Sequence, residues 1–178
     1  MEPYDALHAF RSFRNSFYEC LDRRADALFD LADALLCADA VPSPVHLSLQ
    51  EASHRRGWGS LYAALAHGTI DAEALRDLLA RVPFAGAENE PPVFAVDVSV
   101  WARCDAETSP ERGFYYHPSR HSSGQPIVAG WAYQFVARLN FVRESWTAPV
   151  DVERVHPARD ANGVAAEQIE AFLGRSPE

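Results

Sequence analysis

A chain of 178 residues with 48% hydrophobic content is large enough for a buried core, and its size fits one domain or two small ones. A net charge of −9 argues against a free-standing nucleic-acid binder of the ordinary basic kind. All 16 basic residues are arginine, which excludes lysine Schiff-base chemistry and lysine general bases.

No run approaches the roughly 18 apolar residues that a bilayer-spanning helix needs. The start, Met-Glu-Pro-Tyr-Asp, lacks the basic and then apolar pattern of a signal peptide, so a cytoplasmic location is expected. Cys20, Cys37 and Cys104 are odd in number, widely spaced and without a Cys-x-x-Cys pair. They point to neither a disulfide framework nor a cysteine zinc site.

From Tyr4 to about Ala38, apolar residues recur at Leu7, Phe10, Phe13, Phe17, Leu21, Leu28, Leu31 and Leu35, steps that define one face of a helix. A break between two helices is expected near Cys20 to Arg23. Asp22, Asp26, Asp30 and Asp33 form an acidic stripe that reads as a solvated face, and Pro42 and Pro44 end the helical region. A helical turn is expected before Ser53, then helices over 59–67 and 71–81, with Gly68 as a C-cap and Asp71 as an N-cap.

Ala85 to Pro92 carries Gly, Asn and two prolines and is the best domain boundary in the chain. Beyond it the pattern turns to strands at 93–101, 113–117 and within 127–142, with 150–155 as a further strand-like stretch. Arg120 to Pro126 has the turn chemistry of a hairpin loop. Asn162 to Leu173 reads as an amphipathic helix. The fold class is therefore α+β: a helical N-terminal domain over 1–88, open to a DNA-binding role, and then 89–178 as the opening of a ribonuclease-H-like sheet, a three-strand meander followed by a helix.

Asp97 stands inside Phe94-Ala-Val-Asp-Val-Ser-Val-Trp, an apolar and β-branched run in which aspartate is out of place. A metal, an arginine or nearby backbone amides would satisfy it. The surrounding stretch, 91–143, is the least acidic in the chain: Asp97, Asp105, Glu107 and Glu111 face Arg103, Arg112, Arg120, Arg138 and Arg143. His54, Arg55 and Arg56 form the densest basic cluster, suited to phosphate contact or to pairing with the acidic stripe. His117 and His121 have a spacing that can hold zinc on a helix, with Cys104 as a third ligand, but the intervening Pro-Ser-Arg opposes a helix there. The aromatic residues read mostly as core, with base stacking by Tyr115 or Tyr116 as the alternative.

The segments His54-Arg-Arg-Gly-Trp-Gly-Ser-Leu-Tyr-Ala-Ala-Leu, Phe94-Ala-Val-Asp-Val-Ser-Val-Trp with Thr108-Ser-Pro-Glu-Arg, and Gly130-Trp-Ala-Tyr-Gln-Phe-Val-Ala occur in an order that resembles bacterial DDE-type insertion-sequence transposases. The opening from Phe10 is similar to the same family, and the resemblance runs to about Ile169. It implies metal-dependent DNA cleavage and strand transfer, with Asp97 as the first acidic residue and a ligand for Mg2+ or Mn2+. It also implies DNA at mobile-element ends as partner and association with the nucleoid, while an open sheet with an exposed edge and apolar face favours aggregation or a homo-oligomer. The second Asp and the Glu have no counterpart, since Asp151, Glu153, Asp160 and Glu167 come too early in the topology. A truncated, catalytically incomplete enzyme is therefore expected, with a non-catalytic DNA-binding or transposase-associating protein as the alternative. The resemblance asks for Asp97 on a central strand flanked by strands from 113–142, its carboxylate exposed at one end of the sheet. Full burial against an arginine, or an edge strand facing bulk water, would sink the carry-over.

Overall fold

The computed structural model describes residues 3–82, 91–117, 126–139 and 147–175. The chain divides into two compact units, Met1–Leu78 and Leu79–Glu178.

The first unit is built mainly from helices: α1 (Pro3–Glu19), α2 (Ala25–Cys37), α3 (Pro44–Leu47), α4 (Trp58–His67) and the start of α5 (Ala72–Arg81). The break expected near Cys20 is a short strand, β1 (Leu21–Arg23), which pairs antiparallel with β2 (Thr69–Ile70). Arg24 follows in the left-handed region at φ 56°, a conformation that reverses the chain between β1 and α2. Leu31 and Ala34 of α2, Leu47 of α3 and Leu61 of α4 form one buried cluster. Each buried leucine contributes roughly 1.5–3 kcal/mol through loss of apolar surface to water.

Helix α1 is held to α2 by aromatic and charged contacts. The rings of Phe17 and Phe29 lie 6.1 Å apart, and the Arg14 guanidinium sits 4.6 Å from the Phe29 ring centre while its Nη2 donates to Asp33 Oδ2 at 2.8 Å. Asp33 raises the pKa of Arg14 above its ordinary value, chiefly through that hydrogen bond. Asp71 caps α5 as its position in the sequence predicts, accepting the Ala74 amide at 3.0 Å. Gly68 ends α4 without a left-handed backbone. Its role is close approach, because a Cβ there would stand 2.5 Å from the Ala64 carbonyl oxygen and 2.9 Å from Leu28.

The second unit contains a four-stranded antiparallel sheet and one helix: β3 (Val93–Ala102), β4 (Gly113–Tyr116), β5 (Ile127–Leu139), β6 (Thr147–Val155) and α6 (Ala161–Arg175). Strand β5 is the longest and lies at the centre. On one side it pairs with β3 from Val93↔Leu139 to Ala102↔Gly130. On the other side it pairs first with β4 and then with β6. The meander therefore runs β3, β5, β6, with the stretch around 150–155 as its third long strand. The short β4 joins β5 and not β3. Gly130 marks the point where β3 and β4 both meet β5, and a Cβ there would stand 2.1 Å from the Trp101 carbonyl oxygen.

Helix α6 covers one face of this sheet. Val164, Gln168 and Phe172 are spaced four apart and all buried, so they form a single stripe. Val164 packs with Ala132, Val155, Val98 and Tyr115, while Phe172 packs with Val136, Val150 and Phe94. In β5 the even positions 128, 132, 134 and 136 are buried and the odd ones from 131 to 137 are half-buried, the alternation that a one-sided cover imposes. In β6 the register shifts opposite Val136 and Ala137, so that Val150 and Asp151 are both buried. A bulge is the ordinary way to turn two successive side chains toward one face.

Candidate functional site

The register fixes where Asp97 points. Val98 and Phe94 pack under α6, so the alternate residues Ala95, Asp97, Ser99 and Trp101 project from the opposite, open face. Their cross-strand partners on β5 are Ala137, Phe135, Tyr133 and Trp131. Asp97 is exposed, and its Oδ1 accepts the Val98 amide at 2.9 Å. Backbone bonding, one of the three explanations open at the sequence level, is thus present, while one carboxylate oxygen remains turned to solvent.

Strand β3 has β5 as its sole neighbour among the described residues. The expectation of a central strand for Asp97 is therefore corrected: the centre belongs to β5, whose 13 residues are long enough to carry β3 on one side and both β4 and β6 on the other. This edge position weighs against assigning Asp97 a role by its place in the topology alone.

The other acids of the second unit have partners of their own. Asp151 is buried, accepts the Val152 amide at 2.8 Å and receives Gln168 Nε2 at 3.0 Å. Arg159 bridges Glu153 on β6 and Glu167 on α6, and these two carboxylates raise its pKa, Glu167 most. Asp160 caps α6 by accepting the Gly163 amide at 2.9 Å. Asp105 is held below the usual carboxylate range by the hydrogen bond from Arg103.

No group of three His, Cys, Asp or Glu side chains placed to hold a metal occurs among the described residues. Magnesium and manganese prefer about six oxygen ligands in octahedral array, and Asp97 offers one free oxygen. The residues described here do not form a site for such an ion by themselves, and no chemical step is drawn through one. His117 is half-buried, and its amide donates to the Pro126 carbonyl at 2.7 Å. His121, most of the linker 85–92 and most of the loop 120–126 lie outside the described residues.

The basic cluster of the first unit is split by the fold. His54 is 4% exposed, and neither ring nitrogen has a hydrogen-bond partner among the described residues. Arg56 donates to Asp30 and, at 3.2 Å, to Asp26 Oδ2, which answers the acidic stripe of α2. Arg55 is exposed and stands at a cleft with Arg14, Asp30, Asp33 and Ser53. Of the three, Arg55 keeps a guanidinium free of any ion pair or hydrogen bond among the described residues.

Sequence reading missed the arginine cluster around Trp131. Arg154 lies 5.2 Å and Arg103 5.9 Å from the Trp131 ring centre. The Pro110 carbonyl accepts both Trp131 Nε1 at 3.2 Å and Arg154 Nη2 at 2.8 Å. Glu111 beside it has a φ of 56°, a costly conformation for a residue with a side chain. The one signal in the sequence was the local excess of arginine over acid between 91 and 143.

No described helix is long and apolar enough to cross a membrane. No match was found among curated proteins or among solved structures. A family model described as DDE superfamily endonuclease matches residues 16–174, nearly the whole chain. With its helical first unit, its antiparallel sheet under one helix and this match across both, the chain belongs to the DDE superfamily endonuclease family.

Proposed function

We propose that the chain acts on DNA as a transposase-type member of this family, whose chemistry is cleavage and strand transfer at the ends of a mobile element. The observation that carries this reading is the family match over residues 16–174. Asp97 is the residue proposed as the first acidic ligand, for Mg2+ or Mn2+. Among the described residues of the four strands it is the sole acid on the open face, since Asp151 and Glu153 are the others in the sheet, and Asp151 bonds Gln168 of α6 while Glu153 pairs with Arg159 in the loop before it. Its edge position counts against the role, and the single carboxylate means that the described residues do not complete a two-ion site.

That Asp97 stands without a second carboxylate placed to share a metal among the described residues favours a second reading: a member of the family that binds DNA, or associates with an intact transposase, without cutting. In either case Arg55 is the proposed phosphate contact of the first unit. Arg56 has its charge already answered by Asp26 and Asp30, and His54 is buried.

Anisotropy of a labelled duplex, titrated with the 178-residue chain over a range of salt, tests the shared claim. We expect binding that weakens linearly on a log–log plot as salt rises, because phosphate contacts release counterions. Nicking with Mg2+ or Mn2+ separates the two readings, since the first requires it and the second excludes it. Absence of binding at low salt would overturn both readings, and divalent-dependent nicking lost in Asp97→Asn would replace the second with the first.

A further inference from the structure

The open face of the second unit carries large aromatic rings in solvent. Trp101 is 65% exposed, Phe114 76% and Tyr116 66%, on a sheet whose other face is covered by α6. The register places these rings on one face. Trp101 is opposite Trp131, Phe114 opposite Ala129 and Tyr116 opposite Ile127, all odd positions of β5 and thus on the face that bears Asp97. Trp101 also meets Tyr133 edge to face, with ring centres 6.0 Å apart. Exposure of three such rings is costly for a soluble protein and marks a binding surface.

The charges around these rings indicate what binds. Arg103 and Arg154 stack on Trp131, and Arg112 donates to the carbonyl oxygens of Arg103 and Cys104 at 3.1 and 3.2 Å, bonds that leave its charge uncancelled. Asp105 pairs with Arg103 and Glu111 with Arg154, so Arg112 is the guanidinium of the three with no acidic partner at ion-pair distance among the described residues. The guanidiniums are pre-positioned, because the Pro110 carbonyl holds both the Trp131 indole and Arg154. Flat aromatic rings beside arginine forks suit a strand of nucleic acid, with bases on the rings and phosphates on the arginines. A purely apolar protein partner would leave the Arg112 guanidinium without use.

We propose that this face is a stacking platform for unpaired bases of a DNA strand, with Trp101, Phe114 and Tyr116 as the stacking residues and Arg112 as the phosphate contact. The proposal rests on the reading of the chain as a DNA-acting protein and names the form of DNA: single-stranded, or opened beside the Asp97 position. Bases within a duplex have their faces already stacked and cannot reach rings on a sheet. Trp101 is four residues along β3 from Asp97, about 13 Å on the same face, so a short stretch of strand spans both.

The test compares a labelled oligothymidine with a blunt duplex, each titrated with the full chain at equal salt and followed by anisotropy. We expect the single strand to bind at least tenfold more tightly. Trp101→Ala and Tyr116→Ala should each weaken single-strand binding by about five- to a hundredfold, the range for loss of one stacked base, and leave duplex binding within twofold. Trp101→Phe should retain most of the affinity, which separates stacking from any loss of fold. Duplex binding equal to or tighter than single-strand binding would overturn the platform and leave the DNA reading standing. Binding of neither DNA would overturn both. Loss of self-association in Trp101→Ala with unchanged single-strand binding would overturn the proposal in favour of a face covered by a second copy.

Discussion

Asp97 and Asp151 make the same bond from opposite faces of one sheet. Each carboxylate accepts the amide of the following valine, Val98 at 2.9 Å and Val152 at 2.8 Å, on strands that flank β5 from either side. Their surroundings differ. Asp151 is 8% exposed and bonded to Gln168 beneath α6, whereas Asp97 faces solvent among aromatic rings. One aspartate is part of the packing of the unit, and the other keeps an oxygen available for a ligand.

Gln168 is the polar member of an otherwise apolar helix stripe, and its Nε2 ties α6 to β6 through Asp151. Gln168→Ala should lower the stability of the second unit by about 2 kcal/mol, because a buried carboxylate loses one donor. Urea titration with tryptophan fluorescence measures this. A change smaller than a few tenths of a kcal/mol would show that the bond is incidental.

His54 is buried, and both ring nitrogens are unpartnered among the described residues. An apolar side chain of similar size avoids the cost of stripping water from these atoms, so His54→Leu should stabilise the first unit by about 1–2 kcal/mol. The same titration, followed by far-ultraviolet circular dichroism, reads the change. A destabilised variant would show that the imidazole has a structural partner in solution.

The cysteines should separate by reactivity. Cys20 is buried, burial pushes its thiol pKa up, and its Sγ donates to the Ser16 carbonyl. Cys37 and Cys104 are exposed. With a disulfide reagent at mildly alkaline pH, two thiols should react rapidly and the third only on unfolding, since reaction requires the accessible thiolate. Mass spectrometry of the labelled peptides identifies them, and rapid labelling of Cys20 would contradict its placement.

Tyr115 gives a test by pH. Burial pushes its hydroxyl above the ordinary tyrosine value, with Arg154 acting in the opposite direction. The neutral phenol is therefore favoured in the folded state. Its contribution is full below the unfolded value of about 10 and falls as pH rises through the higher folded value. Tyr115→Phe should flatten the loss of stability of the second unit above about pH 10. Tyr18, raised by its bond to Asp26, acts in the same sense in the first unit, so Tyr18→Phe is the matching control. Equal alkaline losses in wild type and Tyr115→Phe would show that the hydroxyl is not sequestered.

Much of this fold was readable from residue spacing. Helical steps of three and four located α1, α2, α4 and α5, the cap at Asp71 was legible in its position, and alternation located β3, β5 and the helix that follows. Other features have no local signal. Strands of three and two residues, β1 and β2, are too short to show a period. The pairing of β4 with β5 depends on Gly130, where two strands converge on a residue without a side chain. The bulge opposite Val136 reverses the parity that would otherwise separate Val150 from Asp151. Base stacking by Tyr115 or Tyr116 was one reading in the sequence, and register decides between them: Tyr115 packs toward α6 and Tyr116 projects from the open face. The central strand expected for Asp97 was the main misreading, since which strand lies in the middle depends on long-range pairing and not on composition.

The central claim is that the face bearing Asp97 is the one that meets DNA, and affinity measured in EDTA tests it most directly. A carboxylate facing phosphates repels them when no cation is present, so Asp97→Asn should tighten single-strand binding by about two- to fivefold, roughly the effect of one partly screened charge. Asp151→Asn, on the face beneath α6, should leave it unchanged. Unchanged or weaker binding by Asp97→Asn, or an equal gain in both variants, would contradict the account.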